Sequence, residues 1–89
     1  MKKAEFNAII KDGRDRRKSF LAVKIETEGN PAPEIIVNPV ENLDAKQNYY
    51  NKAYDGDMTL IAAKKNGTII KITDALMTSN LNDLSWFAY

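Results

Sequence analysis

The chain has 89 residues, 44% of them hydrophobic and 28% charged, with a formal net charge of +1. That suffices for one small domain with a thin core and is too apolar for disorder. Histidine and cysteine are both absent, which removes the side chain that titrates near neutral pH and the strongest ordinary nucleophile. A Ser-His-Asp triad, thiol chemistry, a Cys/His zinc site and a disulfide are thereby excluded. The expectation is a protein that is not an enzyme and holds no cofactor and no metal.

No apolar run is long enough to span a bilayer. The opening Met1-Lys2-Lys3-Ala4-Glu5-Phe6-Asn7 has no apolar stretch of the kind a secretory signal needs. The expected compartment is the cytoplasm, with no membrane contact. Lys, Asn and Ile are abundant and Arg is scarce; the favoured three have A/T-rich codons, which suggests a low-GC bacterial or phage genome. Charge is unevenly placed. Residues 1–24 carry eight basic against three acidic side chains, a local +5, and residues 25–89 carry five against nine, a local −4. Such polarity steers partners, including another copy of the chain.

In chain order, Phe6, Ile9 and Ile10 at i, i+3 and i+4 predict a short amphipathic helix over Lys2 to Asp12, with Gly13 just past its end. A basic stretch, Arg14-Asp15-Arg16-Arg17-Lys18, follows. From Phe20 to Glu28, Leu21, Val23 and Ile25 alternate with Lys24 and Glu26, as in a half-buried strand. Gly29-Asn30-Pro31-Ala32-Pro33 is a loop, and Glu34 to Val37 is a second strand pairing with the first. Asn38-Pro39-Val40-Glu41 has the form of a helix start, with Asn38 capping, Pro39 at the first position and Glu41 at the third. That helix carries Val40, Leu43, Tyr50 and Tyr54 near one face and stops at Asp55-Gly56.

Met58 to Lys65 and Thr68 to Thr73 flank Asn66-Gly67, the dipeptide that suits a type I′ hairpin turn. The pattern therefore predicts a second hairpin, with Ala63 opposite Ile70 and Ile61 opposite Ile72. Ala75-Leu76-Met77 is assigned a short helical turn, and Ser79 or Asn80 starts a final helix with Leu81, Leu84 and Phe87 or Ala88 inward. The predicted architecture is a single α+β domain over residues 1–89 in the order α-β-β-α-β-β-α, with a four-stranded antiparallel sheet from two hairpins and helices packed on one face.

Among candidate sites, Trp86, Phe87 and Tyr89 place three large rings in the last four residues, more than one helical face buries, and mark a partner surface or a self-association surface. Tyr49 joins them, because adjacent helical residues point about 100° apart and only one of Tyr49 and Tyr50 can face the core. Asp55 and Asp57 lack the spacing of an EF-hand loop and fit turn chemistry. The expected function is a small non-enzymatic protein-interaction module, of the kind a phage or mobile element uses as an accessory, binding a protein partner or itself as a homodimer. The alternative is nucleic-acid binding through Arg14, Arg16, Arg17 and Lys18, whose guanidinium and ammonium groups suit phosphates; Phe20 is the one aromatic close to them.

Overall fold

The computed structural model describes the whole chain, residues 1–89. Helix α1 (Lys3–Asp15) buries Phe6, Ile10 and Gly13 along one stripe, which is the i, i+4, i+7 row of a helix resting on a sheet. The helix runs through Gly13 instead of stopping there. A Cβ at that position would lie 2.3 Å from both Cβ and Cγ of Met77, so the glycine is where α1 presses closest to the sheet. The helix ends further on with a Schellman pair: Lys18 N–H donates to the Gly13 carbonyl (2.9 Å) and Arg17 N–H to that of Arg14 (3.0 Å). Arg17 occupies the left-handed position of this motif, at φ 56°.

Strands β1 (Phe20–Thr27) and β2 (Glu34–Pro39) form the expected antiparallel hairpin, with Val23 opposite Ile36. Asn38 does not cap a helix. It lies within β2, is buried, and donates from Nδ2 to the Tyr50 hydroxyl at 3.3 Å. A 3-10 turn at Val40–Asn42 leads instead into α2 (Leu43–Ala53).

The predicted second hairpin is not formed, and the sheet has three antiparallel strands rather than four, in the order β2-β1-β3. Of the segment expected to be the third strand, only the Met58–Leu60 portion meets its partner. Thr59 bridges Lys71, Leu60 N–H donates to the Ile70 carbonyl (2.8 Å), and Ile72 N–H donates to that of Met58 (2.9 Å). Helix α3 (Ile61–Lys65) then replaces the rest. Alanine and lysine favour helix over strand, and Asn66-Gly67 ends that helix instead of turning a hairpin. Thr68 N–H donates to the Ala63 carbonyl (3.0 Å), Gly67 N–H donates to that of Lys64 (3.1 Å), and Gly67 sits at φ 81°. An Asn-Gly pair serves either motif, since both need a residue at positive φ.

Strand β3 (Ile70–Thr78) absorbs Ala75-Leu76-Met77, which are extended, with Ala75 opposite Val23 and Met77 opposite Leu21. Helices lie on both faces of the sheet, not one. Helix α1 packs on β3 and α2 on β2, enclosing the core of Phe6, Ile10, Leu21, Val23, Leu43, Tyr50, Met58 and Ile72. Ala22 and Lys24 alternate with those core residues and point to the opposite face. There a 3-10 turn (Leu81–Asp83) and the one-turn helix α4 (Leu84–Phe87) fold back. Phe87 is buried on that face, its ring centroid 5.5 Å from Lys24 Nζ.

Candidate interaction surfaces

The basic segment is largely spent on the molecule's own carboxylates. Arg14 pairs with Asp44 of α2 and also reaches Gln47 Oε1 at 3.3 Å. Arg16 pairs with Asp12 one helical turn back at 3.2 Å, and Lys11 with Asp15 at 2.9 Å. Arg17 and Lys18 have no carboxylate partner. The cluster that looks contiguous in sequence is thus divided between helix staples and two free cations at the α1–β1 turn. Arg14 belongs to a wider clasp between α1 and α2. Asn7 Nδ2 donates to Asn51 Oδ1 (2.8 Å), Gln47 Nε2 and Asn51 Nδ2 both donate to Asn7 Oδ1 (3.0 and 2.9 Å), and Lys3 Nζ donates to the Asn51 carbonyl (2.7 Å). These amides had no signal in the apolar pattern, because they sit beside the buried stripe rather than on it.

The four aromatic candidates do not form one patch. Phe87 belongs to the interior, while Trp86 is 58% exposed and Tyr89 fully exposed. Trp86 packs edge-on against Phe87 (centroids 6.1 Å apart) and its indole N–H donates to Asp83 Oδ1 at 3.3 Å. Tyr49 is on α2, 52% exposed, and its ring contact is with Tyr50 at 5.4 Å. Tyr50 continues inward to Phe6 (5.6 Å) and Tyr54 (6.0 Å), so Tyr49 is the outermost ring of an aromatic stack rooted in the core. Burial pushes the Tyr54 hydroxyl pKa up to about 12, and burial also raises that of Tyr50. Both are held as neutral phenols, which suits packing and gives no base at neutral pH.

Beside Tyr49 runs a depression of about 600 Å³ between α2 and α3, floored by Ala53, Leu60, Ile61 and Ala62 and rimmed by Lys52, Lys65 and Asn66. Ile61 is itself exposed. Neither Lys52 nor Lys65 is paired with a carboxylate. Sequence reasoning missed this groove because it placed Ile61 in a strand. With 61–65 coiled as α3, Ile61 stands beside the α2 tyrosine.

Asp55 and Asp57 behave as turn residues. Asp55 Oδ1 accepts the N–H groups of Thr59 (3.0 Å) and Asp57 (2.9 Å), and Asp57 pairs with Lys2. The Thr59 hydrogen bond is the main cause that holds the Asp55 carboxyl below its ordinary pKa, and the hydrogen bond to Lys2 does the same for Asp57. No protein-family model, no curated protein and no solved structure matches the chain.

Proposed function

We propose that the chain is a small protein-interaction module that acts by surface contact, and that its main contact is the groove beside Tyr49. The observation that carries this reading is the pairing of an apolar floor with two unspent lysines, Lys52 and Lys65, around an exposed ring fixed from beneath by Tyr50. Fixed aromatic anchors lose little entropy on binding and are enriched at the centres of interfaces. The complementary partner is a protein segment bearing a large apolar side chain flanked by carboxylates. Trp86 and Tyr89 offer a second, separate surface across the molecule's other sheet face.

A photo-crosslinking amino acid placed at position 49, at 86, and at the solvent-facing control position 46 tests this in a lysate of the producing cell. The expected result is one discrete adduct from position 49 or 86 and none from 46, with the adduct from 49 lost in a Lys52→Glu/Lys65→Glu double variant. Equal, diffuse labelling from all three positions would refute the reading. Nucleic-acid binding is the weaker alternative, because Arg14 and Arg16 are already paired. It predicts affinity that falls steeply with added salt and depends on Arg17 and Lys18.

A further inference from the structure

The edge of β3 is open over a short window whose hydrogen-bonding pattern is its own mirror under a two-fold rotation. In an antiparallel sheet, the N–H and C=O of alternate residues point to one neighbour and those of the intervening residues to the other. Along the first part of β3, Ile70 and Ile72 point away from β1, the Ile70 carbonyl accepting from Leu60 N–H and the Ile72 N–H donating to the Met58 carbonyl. A bulge then shifts the register between Ile25↔Ile72 and Lys24↔Asp74, with Thr73 as the extra residue. Beyond it the outward positions become Ala75 and Met77. Ala75 bears this out, since its N–H donates to the neighbouring Asp74 carboxylate at 2.8 Å.

The window is bounded at both ends. Met58–Leu60 occupies the row as far as Ile72, and the strand ends at Thr78, after which the chain turns away into the 3-10 segment. Residues 74–78 remain, centred on Leu76. Above them α1 leaves a groove of about 390 Å³ lined by Ala8, Ile9, Asp12, Ala75, Leu76 and Met77. Gly13 brings α1 down onto Met77, and Ala8 at the groove's flank is small.

We infer that a second copy of this chain docks antiparallel on this edge, about a two-fold axis through Leu76, to make a sheet continuous across both molecules. Ala75 of each copy then exchanges both backbone hydrogen bonds with Met77 of the other, and the Leu76 side chains meet on the sheet face opposite α1. A partner strand running past 74–78 would meet Met58 at one end. The partner's own chain leaves the strand at the matching point, which is why a second copy fits the window and a longer extended peptide does not. The opposite edge keeps outward N–H groups at Ile35 and Val37, but Pro39 ends its row and no groove lies beside it. Docking requires the Asp74 carboxylate to release the Ala75 N–H. With few groups involved, the dimer is weak and concentration-dependent. This pairing is independent of the Tyr49 groove and leaves it accessible.

The test is amide hydrogen exchange of the full chain over a dilution series, with light scattering on the same samples. The Met77 amide is expected to exchange roughly tenfold more slowly at high micromolar concentration than when dilute, as for an amide newly enclosed by a ladder. The Leu76 amide, which points into the sheet, should not change. Ala8→Glu, on an exposed helical position, should weaken the dimer by roughly tenfold through repulsion across the axis. A chain that is monomeric at high concentration overturns the inference. So does a dimer in which Met77 stays unprotected while Trp86 emission shifts, which would place the contact on the C-terminal rings. The wild-type dilution series decides the matter even if Ala8→Glu fails to fold, and it is unaffected by whether position 49 finds a partner.

Discussion

Along the β2 edge the outward backbone positions are Ile35, Val37 and Pro39, with Pro33 just before the strand, so only the two middle positions have an N–H to offer; along the β3 edge the outward positions Ala75 and Met77 both keep theirs. Prolines at edge positions are a common means of blunting a strand against unwanted pairing. Here they carry no cost to the hairpin, because neither residue's N–H is needed by β1. The β3 edge is treated differently over its two halves. The chain covers the first half with Met58–Leu60 and shields the second only with the Asp74 carboxylate and the overhang of α1. Both edges thus keep two outward N–H groups, and they differ in what borders them: prolines at the ends of the β2 row, a groove under α1 along the open half of β3.

The sharpest way to break this contrast is Gly13→Ala. The added Cβ would overlap Met77, lift α1 from β3 and open the groove roof, costing about 3 kcal/mol as an overpacked contact. The methyl's gain in helix propensity recovers only part of that, and a lower denaturant midpoint at unchanged slope measures the net. Arg17→Gly acts in the opposite sense and leaves both edges intact. The left-handed residue that ends α1 then bears no Cβ penalty, and stability should rise by about 1 kcal/mol with the same readout.

Replacing Pro33 and Pro39 together by serine would make the β2 edge resemble the β3 edge. Stability should fall by only about 0.5 kcal/mol per site, through the freer unfolded chain, but a second mode of association should appear in light scattering. If the double variant stays as monodisperse as wild type, the prolines are not what guards that edge. The smallest effect concerns acid. Asp55 and Asp57 have folded pKa values below their ordinary 3.8. Their contribution is complete above that value and is lost as pH falls through the lowered folded values. Thermal melts between pH 5 and pH 2 should show a decline there that Asp55→Asn reduces.

The first hairpin was legible because the alternation of Leu21, Val23 and Ile25, the proline-rich loop and the β-branched run Ile35-Ile36-Val37 all point to paired strands. The core face of α1 was legible from Phe6 and Ile10, but the helix end was misplaced. Gly13 reads as a terminator because a glycine's local freedom is visible in sequence, and the side chain of Met77 lying against it is not. Asn38 reads as a cap for the same reason; Tyr50, twelve residues on in the chain, claims its amide. The second hairpin failed at Ile61–Lys65, where an apolar run was ambiguous between strand and helix and Asn66-Gly67 supported both. Of the candidate site residues, Tyr49, Trp86 and Tyr89 are exposed and Phe87 is buried. The basic stretch lost its unity because Arg16 staples to Asp12 one helical turn away and α2 brings Asp44 beside Arg14.

Composition and local pattern by themselves determined the exclusion of histidine and cysteine chemistry, the α+β class, the first hairpin and much of the core, since these follow from residue type and from contacts made within a few positions. Tertiary structure alone decided that the sheet stops at three strands, that a bulge at Thr73 turns Ala75 and Met77 outward, and which cations remain unpaired. Those outcomes depend on groups distant in the chain competing for the same backbone edge or carboxylate, and that competition is settled only when the whole molecule packs.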